Sequence, residues 1–519
     1  MSRIILFLFL ISFVVAKQVW ISDKGNDKTG NGTETNPYRN PKFAEQQAND
    51  GDTIKMKPGT YDGLITTNKT LYFQGASSVT TVMRGGIYYT TPANSIFTGE
   101  MISNVQILTN TWMVYFENPV NFIDVTWHNV DFFLYSDLTT NQSLINLGSV
   151  KISGDNGFTI DSCIFSSRNK KNPYGAIFNF DVNGGDLTLN DVFLNGYDTE
   201  NDEGTQMRIQ GSPSNLNLIK SRTANGGNFY IYNAQNVDIH SNKFYDAPIA
   251  LDSCQHVSVT SNEFINSGKY TIYTPNTDDL EHSGGIEILG TKKGAVVKDI
   301  TIQKNKFFGT VRTSSILVNR WNGNPTTTTF TGVSLTKNDF SQIEQNYDIV
   351  YAINLNFSKI QITANSNYWG DKYGPKKCTI SDSNCKHTEN QKIRVRGNVA
   401  VDNWYCSSDM KYDVNNANSC PSPTPTPTPT PSATPTEKPK ESGLSKGAKI
   451  ALATSIPLAV ILILLIIIVI GRNKKKDSLK KGIAPNGWKK ISGDESNSIK
   501  NNSYESSLLD SELDDSDLN

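Results

Sequence analysis

A short phrase that recurs through residues 17–420 constrains the fold more than any other feature of this sequence. It has the form apolar-x-apolar-x-x-Asn-x-aromatic. Its copies are VDIHSNKF from Val237, VSVTSNEF from Val257, ITIQKNKF from Ile300, VSLTKNDF from Val333 and IQITANSNYW from Ile360. The spacing fits one copy per 20–33 residues, with one coil skipped between Val257 and Ile300. Short strands that repeat at this period predict an all-β solenoid. An antiparallel sandwich, the alternative, would not repeat the same turn residue at the same place.

The alternation within each copy predicts which side chains face the interior. Apolar residues such as Val237 and Ile239 are expected to form interior columns. The Asn of each copy tolerates a left-handed turn and is expected to lie outside the core, where the amides stack as a ladder. The ladder residues are Asn242, Asn262, Asn305, Asn338 and Asn365. The outward residues are Asp238, His240, Ser258, Thr260, Thr301, Gln303, Ser334, Thr336, Gln361 and Thr363.

Two segments resemble a known family. The stretch VWISDKGNDKTGNGTETNPYRNPKFAEQQANDGDTIKMKPGTYDG and the segment NYWGDKYGP (Asn367–Pro375) are similar to the opening module and closing coil of the pectin-lyase-like right-handed parallel β-helices. The resemblance implies an N-terminal cap over residues 17–62, with a helix at about Pro41–Asn49, and β-helix coils over 63–375. It implies no single activity, because this fold carries lyases, hydrolases, esterases, epimerases and binding rods.

The two ends of the chain predict a membrane topology. Residues 1–16 read as a secretory signal peptide, and the uncharged run 450–470 is long enough for one membrane-spanning helix. The basic residues that follow it place the N-terminal domain outside, in a single-pass type I arrangement at the plasma membrane or an endomembrane. A Pro/Thr-rich stalk (421–447) joins the β-helix to this span, and a polar cytoplasmic tail (471–519) follows.

The cysteines and sequons fit an oxidising compartment. Cys378, Cys385, Cys406 and Cys420 predict two disulfides in a C-terminal cap over 376–420. Of three connectivities, Cys378–Cys385 with Cys406–Cys420 is preferred. Cys163 and Cys254 are expected to be buried thiols. The N-glycosylation sequons are Asn31, Asn68, Asn141 and Asn356.

Charged groups that could do chemistry concentrate in one region. The catalytic candidates are Asp278, Asp279, Glu281, His282, Glu287 and Arg312. The Asn-Thr-Asp and Asp-Asp elements of the polygalacturonases overlap here instead of being separated, and the Arg-Ile-Lys element is missing. A solvated acidic loop is therefore the alternative interpretation. No metal site or cofactor is evident, and calcium is expected only if the protein is a lyase.

Aromatic residues beside the other strands are candidates for stacking on sugar rings, with packing between coils as the alternative. They are Tyr230, Tyr232, Tyr273, Trp321 and Tyr351.

Three functions remain open from the sequence. The first is binding of extracellular polysaccharide or a partner surface, which the uncharged outward column favours. The second is a membrane-tethered polysaccharide lyase or hydrolase, and the third is a passive rod. The balance of 49 Lys+Arg against 50 Asp+Glu argues against nucleic acid. The oligomeric state stays open.

Overall fold

The computed structural model describes residues 16–109, 112–134, 143–167, 177–196, 206–246, 248–266, 284–291, 294–310, 314–320, 329–344, 351–355, 360–370, 372–381, 385, 391 and 393–410. Its elements are β1 (Gln18–Ile21), α1 (Pro41–Gln47), β2 (Thr53–Met56), β3 (Gly59–Asp62), β4 (Ile65–Thr67), β5 (Tyr72–Gly75), β6 (Thr81–Arg84), β7 (Ile87–Tyr89), β8 (Ile96–Thr109), β9 (Val114–Phe116), β10 (Asn121–Leu134), β11 (Ser143–Asn146), β12 (Val150–Asp161), β13 (Ile164–Ser167), β14 (Ile177–Asn190), β15 (Phe193–Asn195), β16 (Gln206–Ile219), β17 (Arg222–Ala224), β18 (Asn228–Tyr232), β19 (Gln235–His240), β20 (Lys243–Tyr245), β21 (Ile249–Asp252), β22 (Gln255–Thr260), β23 (Glu263–Ile265), β24 (Gly284–Gly290), β25 (Val296–Gln303), β26 (Lys306–Thr310), β27 (Ser314–Arg320), β28 (Thr329–Thr336), β29 (Asp339–Glu344), β30 (Tyr351–Leu355), β31 (Ile362–Thr363), β32 (Asn367–Tyr368), β33 (Lys376–Cys378), β34 (Arg394–Arg396), β35 (Val399–Ala400) and β36 (Trp404–Tyr405).

These strands wind into three parallel sheets around one core. The first sheet runs β1-β2-β5-β8-β10-β12-β14-β16-β19-β22-β25-β28-β31-β35. The second runs β3-β6-β8-β10-β13-β15-β17-β20-β23-β26-β29-β32-β36, and the third runs β4-β7-β9-β11-β14-β16-β18-β21-β24-β27-β30-β34-β33. The longest strands bend from one sheet into the next. Each coil contributes one segment to each sheet, which is the parallel β-helix that the repeat predicts.

The copies of the repeat lie in register in the first sheet. Val237 pairs with Val257, Val257 with Ile300, and Ile300 with Val333. The prediction of a skipped coil between Val257 and Ile300 is therefore wrong. The long interval is one coil with an insertion, and residues 267–283 of it lie outside the described part of the chain.

The asparagine ladder is present, but its last residue and its position differ from the prediction. The structure places Asn367, not Asn365, in the ladder, because Ile362 and Ala364 are the inward pair of that coil. Asn365 instead pairs with the backbone and carboxylate of Asp402. The ladder residues are Asn242, Asn262, Asn305, Asn338 and Asn367, and each is 0–1% exposed.

These asparagines are thus interior groups, contrary to the expectation that they lie outside the core. Burial is tolerated because both ends of each amide are hydrogen-bonded. The Nδ2 of each of the first four donates to the Oδ1 of the next at 2.9–3.0 Å. The left-handed residue of each turn is the one before the asparagine, with φ between 56° and 61°; these residues are Ser241, Ser261, Lys304, Lys337 and Ser366.

A stack of aromatic rings follows the ladder inside the second sheet. Consecutive rings lie 4.9–5.0 Å apart between centroids, and they are Phe244, Phe264, Phe307, Phe340 and Trp369. The spacing matches the distance between neighbouring strands, so each coil adds one ring to the core. The predicted return of the aromatic to the interior is confirmed.

A helix packs against the first strands at the N-terminal end of the coil stack. Helix α1 starts at Pro41 after Asn40, whose side chain accepts a hydrogen bond from the backbone N–H of Lys42 at 2.8 Å. Its buried Ala44 faces the core, as the predicted capping helix requires.

The cysteine predictions are confirmed where the structure describes them. Cys378 and Cys385 form a disulfide. Cys406 is also disulfide-bonded, and its expected partner Cys420 lies outside the described residues. Cys163 and Cys254 are buried free thiols, and burial raises the pKa of each to about 12.

Other predictions fall partly or wholly outside the described residues. The signal peptide through residue 15, the stalk, the span at 450–470, the tail, Asn141 and Asn356 are among them. Asn31 and Asn68 are exposed, and their glycosylation stays a prediction. Within the part of the chain that the structure covers, no helix has the length and apolarity needed to cross a membrane.

Candidate functional site

The outer side of the first sheet is a polar surface, here called the polar face. One column contains Asp238, Ser258, Thr301, Ser334 and Thr363, which pair coil to coil. A second column beside it contains His240, Thr260, Gln303 and Thr336. All but the exposed Thr363 are half-exposed. Gln361 lies just before β31 and is not part of these columns. The inward pair of its coil is Ile362 and Ala364, which is also why the ladder residue of this coil is Asn367.

The polar face continues toward the N-terminus. Thr159, Thr188 and Asn217 extend the first column, and His128, Asp161 and Asn190 extend the second, in which the apolar Ile219 stands between Asn190 and His240. Its charges meet local partners: His128 Nδ1 lies 2.8 Å from Asp161 Oδ2, and Asn190 Nδ2 donates to Asp161 Oδ1 at 2.6 Å. The face is therefore close to neutral and rich in hydroxyl and amide groups. Among the described residues, no group of three or more His, Cys, Asp or Glu side chains is placed to hold a metal ion.

A second site is a pair of buried carboxyl groups on the outer side of the third sheet, here called the acidic pair. Glu287 of β24 lies beside Ala250 of β21, and Asp252 lies two residues further along β21 on the same side. Glu287 is 1% exposed, and its Oε1 accepts a hydrogen bond from the backbone N–H of Gly284 at 3.0 Å. Burial raises the pKa of Glu287 to about 8, so this carboxyl group is mostly protonated at neutral pH.

Asp252 is buried as well, but its carboxylate accepts several hydrogen bonds. Its carboxylate accepts hydrogen bonds from the hydroxyl of Tyr230 at 2.6 Å, the hydroxyl of Ser253 at 2.9 Å and the backbone N–H of Thr291 at 3.1 Å. The Thr291 hydroxyl donates a further bond. The two carboxyl groups are thus both buried but differ in the hydrogen bonds that they accept.

The predicted catalytic candidates are mostly untested by this geometry. Glu287 is the one that the structure places. Asp278, Asp279, Glu281, His282 and Arg312 lie outside the described residues.

Two of the five predicted aromatic candidates are buried, which leaves them unavailable to a sugar. Tyr230 is 3% exposed, and its hydroxyl is engaged by Asp252. Tyr351 is also 3% exposed and packs against the Cys378–Cys385 disulfide. Tyr232 is half-buried, and Tyr273 and Trp321 lie outside the described residues.

Sequence reasoning missed a different aromatic group, formed by Tyr88, Trp112 and Tyr115 on the outer side of the third sheet. The signal was present in the strands Ile87–Tyr89 and Val114–Phe116. In each, a tyrosine stands between two inward residues and must face outward. The repeat phrase does not extend to these coils, so it does not predict the outward direction of their tyrosines.

Comparisons with known proteins found similar solved structures but no matching family model. No family model and no curated protein matches the chain. Among solved structures it is similar to the Agl-KA catalytic domain, at 11% identity and TM-score 0.39, over 68% of this chain and 63% of that one. It is also similar to the catalytic domain of a GH87 alpha-1,3-glucanase in complex with nigerose, at 11% identity and TM-score 0.36, over 71% and 67% of the two chains.

A third similar structure is pectate lyase Pel9A, at 13% identity and TM-score 0.26, over 67% of this chain and 76% of that one. The chain spans 63% of the Agl-KA catalytic domain, which is less than two thirds of that domain's length. The three parallel sheets described above confirm that this chain has the parallel β-helix fold predicted from its repeat and its N-terminal module.

Proposed function

We propose that the β-helix binds an extracellular polysaccharide along the polar face. The observation that carries the proposal is the register of its two columns, which repeats hydroxyl and amide groups at one strand spacing over successive coils. A polymer with a regular repeat can meet such a surface many times. Each hydrogen bond contributes only about 1 kcal/mol net, so the strength of binding comes from the number of contacts.

The neutrality of the polar face fits this partner better than a nucleic acid or a strongly charged protein. The proposal includes the topology predicted from the sequence, with the β-helix held outside a membrane by the stalk and the span at 450–470. Binding of this kind needs no cofactor.

Bulky charged side chains on the polar face are expected to weaken binding by at least tenfold. Ser258→Arg and Thr301→Arg change neighbouring coils of one column and block close approach of a flat polymer. The measurement is the Kd of the full-length protein for a panel of soluble polysaccharides. Val79→Arg, at an exposed position (84%) away from these columns, is the matched control and is expected to bind like wild type. Unchanged affinity in both face variants would contradict the proposal.

A second candidate function, glycoside hydrolysis, is favoured by the acidic pair. Burial favours the protonated form of Glu287 at neutral pH, which suits it to protonate a glycosidic oxygen, and Asp252 is the second carboxyl group that such a site requires. Both groups are buried in this structure, so hydrolysis also requires the site to open. The binding function needs no such step and is therefore placed first.

If the acidic pair hydrolyses a polysaccharide, Glu287→Gln is expected to lower kcat by about 10²-fold or more, because Gln cannot supply a proton. Released reducing ends would be measured for the full-length protein on the same panel. Glu263→Gln, a surface acid paired with Lys243, serves as the control. Turnover that survives Glu287→Gln unchanged, or is absent from wild type on every polysaccharide, argues against this second function.

A further inference from the structure

Three aromatic side chains form a cluster, here called the aromatic cluster, near the N-terminal end of the third sheet. Tyr88 of β7 and Tyr115 of β9 pair in register on neighbouring coils, and their ring centroids lie 4.8 Å apart at 23°. Trp112, which precedes β9, lies 5.8 Å from Tyr88 and 5.0 Å from Tyr115. All three are half-exposed, so the cluster forms a continuous aromatic surface in contact with solvent.

The core does not account for these rings. Directly inside them, Tyr89 and Phe116 form a separate stack at 4.6 Å and 6°, with each residue at most 1% exposed. The interior is thus filled without the aromatic cluster. Groups of large apolar side chains left on a surface commonly mark a binding site.

The neighbours of the aromatic cluster indicate the chemistry of its ligand. In the same outward column, Thr66 precedes Tyr88 and Asn146 follows Tyr115, so polar side chains border the rings on both sides. Rings bordered by hydrogen-bonding groups suit a sugar, which has apolar C–H faces and polar edges. Glu117 is exposed and follows Tyr115 by two residues, so it continues the outward alternation beside the rings. Partial burial, and then the charge of Glu117, raise the pKa of Tyr88. A negative charge at this position disfavours uronic acids.

We propose that the aromatic cluster of Tyr88, Trp112 and Tyr115 is a binding site for neutral pyranose units of a polysaccharide. The site rests on the proposed function for its class of ligand, but it lies on the third sheet, away from the polar face. Its specificity for neutral sugars comes from Glu117, and its affinity comes from the rings.

The test uses the full-length protein with neutral gluco-oligosaccharides and with oligogalacturonates of matched length. Trp112→Ala and Tyr88→Ala are each expected to weaken neutral binding by about tenfold, equivalent to about 1.4 kcal/mol. Tyr245→Ala removes an exposed tyrosine from the second sheet and is expected to leave binding unchanged. Trp112→Phe keeps an aromatic ring at this position, so it should retain affinity while losing most of the ligand-induced change in tryptophan fluorescence. Glu117→Gln is expected to raise affinity for the oligogalacturonate.

The outcomes separate this inference from the proposed function. Loss of binding in Trp112→Ala, with Ser258→Arg and Thr301→Arg unaffected, supports the aromatic cluster and contradicts the polar face as the binding surface. The reverse pattern overturns the inference and leaves the proposed function standing. Equal affinity of wild type for neutral and acidic oligosaccharides would overturn the specificity assigned to Glu117. Wild-type affinity in all of these variants, or no binding by wild type, would overturn both proposals.

Discussion

Asn305→Ala is expected to lower the free energy of unfolding by about 3–5 kcal/mol. The Asn305 side chain makes four buried hydrogen bonds. Its Oδ1 accepts from the backbone N–H and the Nδ2 of Asn262, and its Nδ2 donates to the Val259 carbonyl and to Asn338 Oδ1, all at 2.8–3.0 Å. Alanine removes all four and leaves the partner groups without water to replace the bonds.

Urea unfolding of the full-length protein, followed by fluorescence, measures this loss. The chain offers a matched pair of controls near the C-terminal end of the ladder. Asn367→Ala removes a ladder residue and is expected to destabilise by a similar amount, whereas Asn365→Ala removes a half-exposed amide and is expected to cost about 1 kcal/mol or less. A larger loss for Asn365→Ala than for Asn367→Ala would contradict the ladder as described.

Glu287→Gln is expected to make the protein more stable than wild type at neutral pH, by an amount that depends on pH. The folded state raises the pKa of Glu287 from 4.5 to about 8, so between these values the folded protein holds a proton that the unfolded chain has lost. The contribution of Glu287 to the free energy of unfolding of the wild type is therefore complete below about pH 4.5. It decreases by about 1.4 kcal/mol per pH unit as the pH rises, until about pH 8. Gln cannot ionise and loses nothing over this range.

The free-energy difference between Glu287→Gln and wild type should thus grow by about 3 kcal/mol from pH 5 to pH 7. Urea unfolding at several pH values measures it. Glu263→Gln is the control, because Glu263 forms a surface ion pair with Lys243 and such pairs contribute about 0–1 kcal/mol. A difference for Glu287→Gln that stays constant from pH 5 to pH 8 would show that Glu287 is not held neutral.

The repeat was enough to predict the coil, because its inward residues and aromatics obey the same two-residue alternation in every copy. It failed in the last copy, where the register that starts at Ile360 places Asn367 in the aromatic position. The register that starts at Ile362 matches the whole phrase, with Asn367 as its asparagine and Trp369 as its aromatic residue. The structure has this second register, in which the ring of Trp369 stacks on that of Phe340 at 4.9 Å between centroids.

The candidate site was less accessible to sequence reasoning, for a different physical reason. Alternation shows that Tyr230 and Glu287 leave the core side of their strands, but it cannot show what packs over them on the outer side. Both side chains are buried on that outer side. Tyr230 packs with Ala250 and Leu289 and donates a hydrogen bond to Asp252, and Glu287 lies beside Ala250. Outward direction and exposure to solvent are separate properties in a β-helix, and the sequence pattern reports only the first.

The ladder also has a direction. Each amide from Asn242 to Asn338 accepts at Oδ1 from the N-terminal side and donates one Nδ2 hydrogen to the next Oδ1 on the C-terminal side. The other Nδ2 hydrogen goes to a backbone carbonyl of the preceding coil. The series begins with the backbone N–H of Ser221, which donates to Asn242. It ends at Asn367, whose Nδ2 donates to the carbonyls of Leu335 and Ala364. The side-chain dipoles are thus aligned along the coil axis, and each bond polarises the next. Substitutions at two rungs should consequently be non-additive, since the first break already weakens the bonds on either side of it.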